Sequence, residues 1–66
     1  MRGKVKWYSP EKGFGFIQAN NSEEIFVVYT SIIKEGFKSL KKDQEVEFEI
    51  GRDSRGKCAI NVRIIE

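Results

Sequence analysis

The side chains with the clearest chemical use in this chain are two phenyl rings, Phe14 and Phe16, in the segment Lys12-Gly13-Phe14-Gly15-Phe16-Ile17. In an extended segment side chains alternate between faces, so both rings share one face while Ile17 and Ala19 take the other. The second face already has apolar groups to bury. We therefore interpret the rings as displayed to solvent, an unfavourable arrangement unless a flat polar ring stacks on them.

A second apolar run, Ile25-Phe26-Val27-Val28-Tyr29, repeats this arrangement. Alternation places Phe26 and Val28 on one face and the other three residues, Tyr29 included, on the opposite face. Paired beside the first segment, it would extend the same aromatic surface. The alternative is a strand buried on both faces, which is the usual meaning of such a run in a small β domain. The lysines that flank the rings favour display.

The residues that enzymes use for proton transfer or covalent chemistry are poorly represented. The chain contains no His, and its single cysteine, Cys58, lies in a predicted strand without a neighbouring base. The pair Gly13-x-Gly15 lacks the third glycine of a nucleotide-binding loop. Glu23 and Glu24 are adjacent and would point to opposite faces of a strand. We therefore predict a binding protein that is not an enzyme and needs no metal or cofactor.

Length and charge limit the remaining choices. We expect 66 residues to form a single domain, 1–66, with a small core. The net charge is only +2, but its distribution is uneven, and this predicts one basic side. Residues 1–20 contain four basic residues against Glu11, and a later acidic group balances them: Arg2, Lys4, Lys6 and Lys12, then Glu45, Glu47 and Glu49.

Compartment follows from cysteine use and from the apolar runs. A lone cysteine excludes an internal disulfide and fits a reducing compartment. No apolar run approaches the roughly 18 residues that span a bilayer, and the N-terminus has no apolar signal region. We expect a cytoplasmic protein and no membrane partner. Asn20-Asn21-Ser22 matches a glycosylation sequon, but we interpret it as a polar turn.

The elements that would carry these side chains are five short strands. Alternation and turn residues predict strands at 4–8, 13–19, 24–29, 45–50 and 58–65, with Ile60, Val62 and Ile64 inward in the last and a polar turn at 51–57. We expect one helical turn near 31–33, followed by a loop. Five strands without a long helix indicate an all-β fold, and closure into a barrel would remove exposed edges.

Pattern alone leaves two aromatic residues open. Trp7 either joins Val5 in the core or is turned by a bulge onto the Phe14 face. Phe37 either covers a small core or is another displayed ring.

The order and spacing of these segments are similar to those of bacterial cold-shock proteins. Lys12-Gly13-Phe14-Gly15-Phe16-Ile17 resembles their first ribonucleoprotein motif, and Ile25-Phe26-Val27-Val28-Tyr29 resembles the second. The similarity runs from Gly3-Lys4-Val5-Lys6-Trp7 to Asn61-Val62. It implies a five-stranded antiparallel Greek-key barrel of the oligonucleotide-binding type that binds single-stranded RNA and DNA, often as an RNA chaperone or antiterminator. The RNA-recognition-motif domain has these motifs in the opposite order.

The resemblance also implies a set of site residues. It implies an aromatic platform of six residues and three basic contacts: Trp7, Phe14, Phe16, Phe26, Tyr29 and Phe37, with Lys6, Lys12 and Arg55. By the same resemblance, the side chain of Trp7 faces outward and that of Phe37 is displayed. Val28 stands where the second motif usually carries His, so we expect one stacking ring fewer. Tyr8 and Ser9 stand where Phe and Asn are common. Lys57-Cys58-Ala59-Ile60 replaces Pro-Gln-Ala-Ala and adds a charge beside the expected binding loop.

An alternative function is a small barrel that uses the same aromatic patch to bind a peptide or a second copy, because aromatic patches serve both purposes. Basic residues beside the rings favour nucleic acid. We expect a monomer and leave a dimer as the alternative.

Overall fold

A computed structural model of the chain describes residues 1–33, 39–54 and 56–65. It contains five strands and one short 3-10 turn: β1 (Arg2–Ser9), β2 (Phe14–Ala19), β3 (Glu24–Val28), the turn Tyr29–Ser31, β4 (Glu45–Asp53) and β5 (Gly56–Ile64). The all-β prediction is confirmed. β4 and β5 are longer than predicted, so the polar turn between them is shorter than 51–57.

The strands form a closed barrel in the order β1-β2-β3-β5-β4, with β4 pairing back to β1. Four of the neighbouring pairs are antiparallel, but β3 and β5 pair in parallel, with Phe26 opposite Cys58. The predicted antiparallel barrel is thus confirmed for four of the five strand pairings, and the β3–β5 pairing is the exception. Five is an odd number, so strand directions cannot alternate all the way round a closed ring, and one neighbouring pair must run the same way.

The core follows the alternation in β2, β3 and β4. Among the described residues its members are eleven buried apolar side chains: Val5, Ile17, Ala19, Ile25, Val27, Ile32, Leu40, Val46, Phe48, Ala59 and Val62. The predicted inward set of β5 is partly wrong. Val62 is buried and Ile64 packs against the core, as predicted, but Ile60 is only partly covered, and Ala59 takes the inward position in its place.

The cause of this shift is a local irregularity at Asn61. Its φ is 51°, and the pairing of β4 with β5 shifts there, with Glu47 opposite Arg63 but Glu49 opposite Ile60. The extra residue in β5 separates the inward positions by three residues instead of two, as a β-bulge does.

The segment after β3 also differs from the prediction. The helical turn begins at Tyr29, two residues earlier than expected. Ile32 then forms a parallel bridge with Val62 and is buried, and the Ile33 N–H donates to the Val62 carbonyl at 2.7 Å. Asn20-Asn21-Ser22 form a turn between β2 and β3, with Ser22 at φ 72°. Across the described residues, no helix has the length and apolar character to cross a membrane.

Candidate nucleic-acid interface

Four aromatic rings lie side by side on the outer face of β1, β2 and β3. Their centroids are 5.5 Å apart between Trp7 and Phe14, 5.7 Å between Phe14 and Phe26, and 5.7 Å between Phe26 and Phe16. The first and last contacts are edge-to-face, with interplanar angles of 69°, and the middle one is tilted by 34°. We call these four residues the ring row.

The ring row lies outside the core but is not fully exposed. Trp7 is 47% exposed, and Phe14, Phe16 and Phe26 are partly covered. Their coverage is greater than the sequence predicted, because adjacent rings shield one another's edges. The faces of the rings are therefore held in place by their neighbours, which lowers the entropy lost when a flat group stacks on them.

Strand alternation explains how β2 and β3 supply three of the rings. Phe16 lies directly opposite Phe26, and Phe14 lies opposite Val28. The alternate residues of both strands are buried, as expected for a sheet with one face on the core. Val28 thus belongs to the same outer face and places an aliphatic side chain beside Phe14.

A bulge in β1 brings Trp7 onto this face. Val5 pairs with Ile17 and Trp7 pairs with Phe16, so Lys6 is an extra residue between two positions that are consecutive on β2. The insertion reverses the alternation after Val5, which is buried, and turns the indole outward. Of the two alternatives for Trp7, the structure contains the bulge.

Gly15 has a role that the sequence did not reveal. A Cβ at this position would overlap the carbonyl oxygen of Trp7 and the Cα of Tyr8. The missing side chain lets β1 approach β2 closely, and this brings the indole within reach of Phe14. Tyr8 itself packs against the core, and burial raises the pKa of its hydroxyl.

Tyr29 does not follow the strand alternation that placed it with Ile25 and Val27. β3 ends at Val28, and Tyr29, which is 52% exposed, begins the 3-10 turn. Its N–H donates to the Gly13 carbonyl at 2.8 Å, and its Cδ1 lies 2.8 Å from where a Cβ on Gly13 would be. The alternation-based prediction is wrong, because the strand ends one residue before the aromatic side chain.

Three lysines lie on or next to the strands that carry the ring row: Lys6 on β1, Lys12 in the β1–β2 turn and Lys57 on β5, which pairs with β3. Lys12 is exposed in the β1–β2 turn, where its N–H donates to Ser9 Oγ at 3.3 Å. Lys6 Nζ lies 2.6 Å from Glu24 Oε2, and Lys57 Nζ lies 2.9 Å from Glu23 Oε2. Lys6 and Lys57 are therefore already paired with carboxylates.

Two predicted site residues, Phe37 and Arg55, fall outside the described residues. The structure thus brings together the Trp and three Phe side chains, with Val28 beside them and Tyr29 at the nearby turn. Sequence reasoning missed the partners of the lysines. The two partners are the adjacent residues Glu23, just before β3, and Glu24, the first residue of β3, and this adjacent acidic pair was the available signal.

The outer face of β4 is acidic and lies apart from the ring row. Glu45, Glu47 and Glu49 are exposed; Arg2 approaches Glu47 at 3.8 Å, and Asn61 donates to Glu49 at 2.7 Å. An open cleft of about 430 Å³ adjoins this face, lined by two of these carboxylates with Met1, Ile33, Phe48, Asn61 and Arg63. Carboxylates repel phosphates, so this side is unsuited to a nucleic-acid chain. The described residues contain no group of acidic or Cys side chains that could hold a metal ion.

A closed five-stranded barrel with this strand order defines the oligonucleotide-binding class of fold. The solved structure titled drosophila Unr CSD456 superposes with a TM-score of 0.80 at 20% identity, over 98% of this chain and 26% of that one. That likeness shows the fold alone, and the chain spans about a quarter of the longer protein.

Sequence comparison identifies the family. A family model described as the 'Cold-shock' DNA-binding domain matches residues 1–65. The chain is 54% identical to cold shock protein CspB of Geobacillus stearothermophilus over 62 residues, 94% of each chain. It is 47% identical to a cold shock-like protein of Thermotoga maritima over 66 residues, the whole of both. The chain belongs to the cold-shock domain family of nucleic-acid-binding domains.

Proposed function

We propose that this chain acts as a single cold-shock domain that binds single-stranded RNA and DNA on the ring row. The observation that carries the proposal is the contact chain of Trp7, Phe14, Phe26 and Phe16 on the outer face of three adjacent strands. Successive bases stack on such rings with about 1–3 kcal/mol each, and every base offers a π-face. The surface therefore needs little sequence preference.

Selection for single strands follows from geometry. A stacked, paired base has both faces covered by its neighbours, whereas an unpaired base can leave its stack and lie on a protein ring. Each base held on the ring row is unavailable for pairing. The chain therefore acts as an RNA chaperone or antiterminator, opening weak hairpins by binding alone, without ATP or catalysis.

The remaining predicted site residues have supporting roles in this proposal. Lys6, Lys12 and Arg55 attract the phosphates, and Tyr29 and Phe37 extend the stacking surface beyond the ring row. Val28 supplies no ring beside Phe14, so an aromatic side chain at this position would extend the stacking surface. We place this activity in the cytoplasm, where the free thiol of Cys58 is stable, and in a monomer.

Fluorescence of Trp7, the only tryptophan, tests the proposal directly. Titration with an unstructured oligonucleotide should quench it, and a duplex of the same sequence should quench it much less. The affinity should fall with salt, with a slope of about −0.7 per phosphate contacted. An unchanged signal at low salt would contradict the proposal, and quenching only by an uncharged aromatic peptide would favour the peptide-binding alternative.

A further inference from the structure

The ion pair between Lys57 and Glu23 joins the starts of two neighbouring strands. Lys57 Nζ and Glu23 Oε2 are 2.9 Å apart, and the side chains are 46% and 45% exposed. β5 begins at Gly56 and β3 at Glu24, and the two strands run parallel. The pair therefore lies at one end of the barrel, beside the β2–β3 turn.

The Lys57 side of this pair lies close in register to Phe26, the ring-row member on β3. Cys58 is level with Phe26 in the β3–β5 register, and Lys57 precedes it by one residue, a rise of about 3.3 Å along the strand. A nucleotide stacked on Phe26 would have its backbone within reach of the flexible four-carbon stem of a lysine at this position. Lys57 thus has the placement of a phosphate contact.

Its carboxylate partner is held in position from both sides. Asn21 Nδ2 donates to Glu23 Oε1 at 3.2 Å, and the Glu23 N–H donates to Asn21 Oδ1 at 3.1 Å. Oε2 accepts from Lys57. Because the turn fixes the carboxylate before any ligand arrives, Glu23 competes for the ammonium group at little entropic cost.

We propose that Glu23 withholds Lys57 from the bound strand, so that a phosphate gains this lysine only by displacing the carboxylate. The inference rests on the proposed function and adds a residue that sets its affinity. Exposed ion pairs are weak, so a phosphate can displace the carboxylate. While the Lys57–Glu23 pair stays intact, the affinity for the strand is lower, and one phosphate contact is missing from the salt dependence.

Variants in which a neutral glutamine replaces a single glutamate separate this role from general electrostatics. Glu23→Gln removes the competitor, and Glu45→Gln removes the same charge from the acidic outer face of β4. Trp7 quenching with an unstructured oligonucleotide should show Glu23→Gln binding about 1.4- to 5-fold more tightly, the range of one exposed ion pair. Its salt slope should steepen by about 0.7, the value for one more phosphate contact, whereas Glu45→Gln should leave the slope unchanged.

A double variant supplies the decisive control. In a Lys57→Gln background, Glu23→Gln should give no gain in affinity and no change in slope, because no lysine is left to release. A gain that persists there, or equal effects of Glu23→Gln and Glu45→Gln, would overturn the inference and leave the proposed function intact. Absence of oligonucleotide binding by the unsubstituted protein would overturn both. Thermal unfolding of each variant verifies that it is folded.

Discussion

Replacing Phe14 with alanine separates a ring that binds from a ring that supports the fold. Phe14 contacts both Trp7 and Phe26 in the ring row, at 5.5 and 5.7 Å, and is only partly covered. Two aromatic pairs of this kind contribute about 0.5–1.5 kcal/mol each, so the free energy of unfolding should fall by about 1–3 kcal/mol. The loss of one stacked base should weaken oligonucleotide binding by about 1–3 kcal/mol, roughly five- to 150-fold.

Phe48→Ala is the matched control, since Phe48 is 1% exposed and lies in the core. Truncating a buried Phe costs about 3–5 kcal/mol of stability. Measured well below the unfolding transition, the folded Phe48→Ala protein should keep its affinity, whereas Phe14→Ala should lose it. Urea denaturation gives the free energy of unfolding of both variants, and Trp7 titration gives their oligonucleotide affinities. If Phe14→Ala lost as much stability as Phe48→Ala and bound as before, the ring would be a core residue and the proposed interface would be wrong.

Three further changes test other parts of the structure. Val28→His places a ring opposite Phe14, so oligonucleotide affinity should rise, and more steeply below about pH 6.5, where histidine becomes cationic; fluorescence titration across pH measures this. Gly13→Ala puts a Cβ 2.8 Å from the Tyr29 ring at a φ of 75°, so the free energy of unfolding should fall by about 1–3 kcal/mol, as urea denaturation would report. The hydrogen bond from Lys57 and then its charge lower the pKa of Glu23, so this pair stabilises the fold above the ordinary glutamate pKa, and that contribution is lost as pH falls through the lowered value. In a carboxyl NMR titration, the midpoint of Glu23 should be lower in the unsubstituted protein than in the Lys57→Gln variant.

Each of these has a contrary result. Unchanged affinity of Val28→His would show that stacking does not extend to this position. Gly13→Ala with normal stability would mean that the Tyr29 ring moves away freely. The same Glu23 midpoint with and without Lys57 would show that the ion pair is not populated in solution.

Alternation along single strands was enough to predict much of the barrel. Ile17 and Val27 are buried and Phe16 and Phe26 lie outside because period-two patterning reports directly which face is covered. The same rule failed wherever a residue was inserted or a strand ended. Bulges at Lys6 and Asn61 and the end of β3 before Tyr29 depend on how strands pair, and one strand's pattern does not contain that information.

Contacts between distant segments were also beyond the sequence. The pairing of Lys57 with Glu23 requires β5 to lie beside β3, which follows only from closure of the barrel. Single-sequence reasoning treated the lysines as free charges and the glutamates as a poor catalytic pair. The roles assigned to Phe37 and Arg55 stay predictions.

The strand pairs of the barrel differ in how extensively they are paired, and the parallel β3–β5 contact is shorter than the β4–β5 pairing. In the described part of the chain its register pair is Phe26 with Cys58, whereas β4 and β5 stay paired from Val46 and Ile64 to Asp53 and Gly56. Local opening should begin where backbone pairing is sparsest, and Phe26 lies at that contact. A nucleobase bound over the β3–β5 contact would stabilise the closed barrel. Amide exchange in β3 should therefore slow when an oligonucleotide is bound, even for residues that the ligand never touches.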